Sequence, residues 1–156
     1  MVPILAVGLI AIHLFVALPI GDAVKGVLEV PPSDLSFLSN IEGNVLVLAG
    51  WLLLLWPAAA FGEEMIMRGY VINRLGRVWG GGWLAWGGAV IVQAVLFGAL
   101  HGYAGFGTAI VVASKAVFTG AFFLLCRRNL WPLILAHGIW DTLGLTLVFF
   151  TGAAST

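Results

Sequence analysis

The sequence predicts an all-α fold: a polytopic membrane bundle of about five transmembrane helices, forming one domain over residues 1–156. Three observations predict it. Apolar residues make up 62% of the chain and charged residues 9%, against roughly 25% charged in a soluble domain. Mean hydropathy is +1.10. The apolar residues gather into five runs, each near the roughly 20 residues a helix needs to cross a hydrocarbon core.

The elements follow in order. The first run, residues 2–20, lacks a charged n-region and a small-residue cleavage site, so it reads as a retained helix and not a cleaved signal. Residues 21–43 carry Asp22, Lys25, Glu29, Pro31, Pro32, Asp34 and Glu42 and read as an exposed loop with a short interfacial turn. Residues 44–61 form the second run. The stretch GEEMIMRGYVINRLGR at 62–77 follows, then a flexible GGG at 80–82. The third run is 83–101, a Gly-rich turn follows it, and the fourth run is 108–126. The basic connection RRNLWP precedes the fifth run, 133–150.

Seven basic residues balance seven acidic ones, so no basic patch points to nucleic acid. The single cysteine, Cys126, excludes an intrachain disulfide and a multi-cysteine metal site. Beside Arg127 and Arg128 it reads as an apolar helix residue in preference to an acylation site. Arg74 and Arg77 fall between runs two and three, and Arg127 and Arg128 between runs four and five, on the same side of a five-helix chain. The positive-inside rule makes that side cytoplasmic, with the N-terminus inside and the C-terminus outside. The expected setting is the cytoplasmic membrane of a prokaryote, with lipid as the surrounding partner.

An ionisable side chain at a helix centre costs roughly 2.5–3.5 kcal/mol on insertion scales and marks a functional-site hypothesis. Those in or beside the apolar runs are His13, Glu63, Glu64, Arg68, His101, Lys115, His137 and Asp141. Glu64 and Arg68 are i, i+4 and can pair on one helix face. Glu63 points about 100° away on an α-helix and lacks that partner. Phe97 and His101 repeat the spacing, with Gln93 on the same stripe, and so do His137 and Asp141. Three helices thus present polar faces that must turn toward each other or toward a wet cavity. His13 has no polar companion at helical spacing and reads as a structural helix–helix hydrogen bond. Lys115 reads as a structural ion pair or a snorkelling residue in preference to a substrate contact.

No serine or cysteine is paired in sequence with His and Asp as a conventional triad. Carboxylates and imidazoles suit two mechanisms. A carboxylate can act as general base on water while His residues orient it or stabilise an oxyanion. Alternatively, Glu63, His101, His137 and Asp141 can gather around a divalent metal such as zinc. Both mechanisms hydrolyse an acyl bond, and a peptide is the expected one.

EEMIMR at 63–68 is an EExxxR pattern, FGALH at 97–101 is FxxxH, and HGIWD at 137–141 is HxxxN/D. In this order, over about residues 45–150, they resemble the CPBP intramembrane proteases. This family is also called Abi or CAAX-protease-like, and it includes the type II CAAX prenyl endopeptidases. The resemblance implies a helix bundle around a conical cavity and an endopeptidase acting on a membrane-associated or lipid-anchored substrate. Glu63 would be the base, helped by His101. His137 and Asp141 would stabilise the oxyanion or orient the water. Glu64 with Arg68 would be chiefly structural, and Phe97 supporting. The family has been described both as metalloproteases and as glutamic-type proteases. The chain is short for the family, and Asp141 stands where many relatives have Asn. An ionised Asp cannot donate to an oxyanion, so Asp141 is protonated, orients His137 or binds a metal.

Depth imposes one further expectation. If helix two ended at residue 61, Glu63 and His101 would lie about 30 Å apart, on opposite faces of the membrane. The site requires helix two to run from roughly Asn44 to Arg77, tilted or kinked, with Pro57 and Gly62 as kink points. Two other classes compete with the protease. One is a non-catalytic scaffold or binding protein of the same fold, against which the intact motif set argues. The other is a small proton-coupled transporter, against which the lack of an inverted repeat argues.

Overall fold

The computed structural model describes residues 1–30 and 34–153. Among the described residues, five helices are long and apolar enough to cross a membrane: α1 Val2–Val27, α2 Val45–Val78, α3 Trp83–Leu100, α4 Phe106–Leu125 and α5 Trp131–Thr151. There is no strand among the described residues. Leu46, Leu53, Val95, Leu125 and Phe150 are exposed on the outside of the bundle. In water so much apolar surface would be a liability; in a bilayer it is the lipid contact. The chain is an integral membrane protein.

α1 outlasts its apolar run. The helix continues through Asp22 and Lys25, which pair at 2.8 Å within the last turns, and stops at Val27. Gly21 lies tight against Val111 of α4, which helps hold the extension down. Pro19 has no N–H for the ladder, and the turn before it, His13–Ala17, relaxes to i→i−5 bonding, with Leu18 N–H donating to the His13 carbonyl.

The segment after α1 is largely exposed and carries the short turn expected of it. The 3₁₀ turn, Ser36–Ile41, anchors the segment by burying Ile41 completely. The Asp34 N–H donates to the Ala104 carbonyl (2.9 Å), tying this segment to the α3–α4 connection. Pro31 and Pro32 lie outside the described residues.

α2 runs through the EExxxR stretch, as the depth expectation requires. Asn44 caps it by accepting from Val47 N–H at 3.2 Å. Pro57 removes one donor, and the helix widens to π-type winding over Leu55–Glu63 and again over Met65–Ile72. Pro57 and Gly62 both fall in the first widened part. That part packs on α5, and the second packs on α3. The motif therefore sits where α2 passes from one neighbour to the other.

Close helix approach depends on small residues, as expected in lipid. A Cβ on Gly98 would lie 2.5 Å from the Ala109 carbonyl of α4. A Cβ on Gly138, next to His137, would lie 2.5 Å from the Trp56 ring. At the basic end, the Arg128 guanidinium stacks 4.5 Å from the Trp86 ring and donates to Asn73 Oδ1 (3.4 Å). The two Arg-bearing connections meet on one side of the bundle.

Candidate active site

Glu63, Glu64, Arg68, Phe97, His101, His137 and Asp141 all line one cavity of about 530 Å³ inside the bundle. Its organising side chain is His137. Its Nδ1–H donates to Glu64 Oε1 at 2.9 Å. Its Nε2 lies 3.2 Å from Asp141 Oδ2 and 3.8 Å from Glu63 Oε2. The i, i+4 spacing of His137 and Asp141 on α5 creates one of these contacts, and α2 brings the two glutamates to the other sides.

The adjacent glutamates divide by burial. The Glu64 side chain is 2% exposed and bonds Arg68 Nη1 at 3.0 Å. Glu63 is 33% exposed and faces the cavity. Glu63 Oε2 is shielded yet has no protein donor among the described residues. Glu64 Oε2 is likewise unbonded, but it belongs to a side chain sealed between Arg68 and His137.

Phe97 is the spacer of this site. The Arg68 guanidinium lies 4.7 Å from its ring centroid, His101 4.6 Å and His137 6.5 Å. His101 Nδ1 lies 2.8 Å from the Phe97 carbonyl. A carbonyl only accepts, so Nδ1 carries the proton, and in the neutral ring Nε2 is a bare acceptor. His101 makes no direct hydrogen bond with the other predicted site residues, but it shares their cavity. Gln93 does not extend this stripe to the site: it is fully buried beside Gly120 and does not line the cavity.

The model of the Rce1-like family, described as type II CAAX prenyl endopeptidase Rce1-like, matches residues 45–143. The chain belongs to this family. No curated protein matches it, and no solved structure does. The family implies CAAX-type intramembrane protease activity, and the matched span holds all seven motif side chains of the cavity.

Among the described residues of this Rce1-like chain, no group of three or more His, Cys, Asp or Glu side chains converges as a metal site. His137 turns one nitrogen to Glu64 and the other to Asp141, and His101 commits Nδ1 to a backbone carbonyl. Glu63 and Asp141 both approach His137 Nε2, whereas His101 makes no contact with that group. As placed, the four do not form the four-ligand set that their identities left open, because His101 stands apart.

The Rce1-like cavity also includes residues outside the motif set. His13 comes from α1, outside the family match, and its Nε2 lies 2.9 Å from Thr119 Oγ1 of α4. The Thr119 hydroxyl donates to the Lys115 carbonyl (2.9 Å), so it accepts from His13 Nε2–H. The expected helix–helix hydrogen bond is present, and His13 is a wall of the cavity as well. Phe37 of the 3₁₀ turn meets Tyr103 at 5.6 Å, and Tyr103 meets His101 at 6.0 Å. No periodic signal marks Phe37 or Tyr103, because both lie in connections. Lys115 lies 4.9 Å from the Trp140 ring centroid and pairs with no carboxylate among the described residues. The structural ion pair expected for it is not made.

Proposed function

We propose that this chain is an intramembrane endopeptidase that hydrolyses a peptide bond of a membrane-associated or lipid-anchored substrate with a water activated at Glu63. The carrying observation is the division of labour around His137: Glu64 holds Nδ1, while Glu63 and Asp141 face Nε2 across the cavity.

Glu63 is the side chain suited to receive the water's proton. It is open to the cavity, and its inner oxygen lacks a protein donor. His101, with a bare Nε2 in its neutral form, assists as a second acceptor. His137 donates. Protonated on both nitrogens, it offers Nε2–H to the oxygen that becomes negative as water adds to the scissile carbonyl. Asp141 cannot itself donate when ionised, and its contact with Nε2 makes it the residue that orients His137 between turnovers. The proton held by Glu63 then passes to the leaving amine as the tetrahedral intermediate collapses, which balances the reaction. Arg68 neutralises Glu64 and has no contact with the reacting atoms in this reading.

The meeting of the two Arg-bearing connections supports placing that end in the cytoplasm. Phe37 and Tyr103, from the connections away from that end, also line the cavity.

Purified wild type, Glu63→Gln and Glu63→Ala are compared on a library of membrane-anchored peptides, prenylated CAAX peptides included. Wild type cleaves; both variants lose roughly 10²–10⁴-fold in kcat, the usual worth of a general base. Equal cleavage by all three proteins removes Glu63 as the base. Absence of cleavage by wild type across the library removes the protease reading.

A further inference from the structure

Among the cavity's cations, Lys115 is the one left over. Arg68 is matched by Glu64, and His137 sits among three carboxylates. Among the described residues Lys115 has no carboxylate at contact distance: the face of Trp140 lies beneath it, and Asp141 acts on it from farther off. It cannot reach water by snorkelling along its helix. It is nine residues from Phe106 and ten from Leu125, about 14–15 Å from either end at 1.5 Å per residue, well beyond the reach of its side chain. A cation held at mid-membrane with no carboxylate at contact distance is costly unless it faces a wet cavity and serves a ligand there. Lys115 does line the cavity, on α4, with Trp140 as the immediate neighbour of Asp141 in the chain.

We infer that Lys115 is a specificity-determining residue that binds a carboxylate of the substrate beside the hydrolytic cluster. This rests on the protease reading for its biological setting, but the binding itself does not require turnover. The chemistry fits an anion and not another amide. The ammonium offers three donors and no acceptor. Trp140 covers one side of it with an apolar face that favours the cation without consuming those donors. His13 on the adjoining wall spends its Nε2–H on Thr119, which leaves the Lys115 ammonium as the donor group free to meet an anion there. A carboxylate docked on Lys115 leaves the preceding peptide bonds directed along the wall that bears Trp140, Asp141 and His137. Two sources supply such a group: the free C-terminus of a peptide, or an acidic side chain near the cleaved bond.

The test is a binding measurement on the Glu63→Gln background, so that cleavage cannot confuse it. The probe is a fluorescent prenylated CAAX peptide in three forms: free acid, C-terminal amide, and amide with a Glu at the last position. Anisotropy is read in nanodiscs with Lys115 intact, with Lys115→Met and with Lys115→Arg. With Lys115 intact, the free acid binds roughly 10- to 100-fold tighter than the amide, as expected for a hydrogen bond to a charged group. Lys115→Met abolishes that preference by weakening the acid alone, and Lys115→Arg retains part of it. If the Glu-bearing amide matches the acid, the recognised group is any nearby carboxylate; if it matches the plain amide, the group is the chain terminus. Equal binding of acid and amide with Lys115 intact, absence of binding included, overturns the inference. So does a preference that survives in Lys115→Met. Wild type that binds with carboxylate preference but cleaves nothing refutes the protease reading and leaves Lys115 as a binding residue.

Discussion

Glu64 holds two partners with one oxygen, and separating them tests the site most sharply. Glu64 Oε1 accepts from Arg68 Nη1 at 3.0 Å and from His137 Nδ1 at 2.9 Å. Arg68 is 1% exposed, so Glu64→Gln leaves a buried guanidinium without its counterion. Breaking a buried pair from one side costs about 3–5 kcal/mol. In a chain of this size, about 1 kcal/mol moves Tm by roughly 2–4 °C. The expected loss for Glu64→Gln is therefore on the order of 6–20 °C in detergent, read by circular dichroism. Removing both charges with Glu64→Leu/Arg68→Met restores most of it, since a buried pair exchanged for apolar groups is often neutral. Activity follows a different course. His137 still lacks its Nδ1 acceptor in the double variant, and losing a charge-assisted hydrogen bond of about 1.5–3 kcal/mol corresponds to roughly 10- to 150-fold in kcat. Stability returns and activity does not. If activity returns together with stability, Glu64 is only the counterion of Arg68, and the assigned hold on His137 is wrong.

Three further outcomes are expected. Cleavage by the purified protein persists after verified removal of divalent metal with a chelator, because the carboxylates and imidazoles pair with one another; loss of activity, restored by one added metal, contradicts this. Gly138→Ala meets the Trp56 ring at 2.5 Å and destabilises by about 1–3 kcal/mol, the usual cost of overpacking, with a lowered Tm; an unchanged Tm means that Trp56 moves freely. Cys126, the single thiol, lies at the basic end. In intact prokaryotic cells a membrane-impermeant maleimide leaves it unlabelled until the membrane is opened, and prompt labelling from outside reverses the orientation.

The large features of this fold are legible because the bilayer enforces them. A run of about 20 apolar residues has few other ways to exist, so the helices fall close to where composition puts them. The continuation of α2 through Glu63 was legible for a related reason: Glu63, His101 and His137 could share one site only if the motif stayed inside. α1 ran past its apolar limit because Asp22 and Lys25 satisfy each other at i, i+3. Polarity alone marked them as loop. Within the site, spacing revealed only contacts made inside one helix: Glu64 with Arg68, Phe97 with His101, His137 with Asp141. It could not reveal that Glu64 also reaches His137, 73 residues away, or that His13 reaches Thr119, 106 residues away. Those contacts depend on where helices cross, and the crossing depends on π-type turns and small residues whose effect is three-dimensional.

The paired glutamates make sense as a solution to a charge problem. A lone histidine at this depth would need one partner to fix its ring and another group to work with it. Glu64 can fix the ring only if its own charge is neutralised, which is what Arg68 does within the same helix. Having spent its charge on Arg68 and its bonding oxygen on His137, Glu64 is a poor base. The next residue toward the cavity must then carry the free carboxylate, and that is Glu63, 3.8 Å from the same ring. On this logic Glu63 and Glu64 are not redundant. Glu63→Gln removes chemistry and spares the fold, whereas Glu64→Gln removes both. A matched loss of Tm in the two variants would show that the glutamates share one structural task.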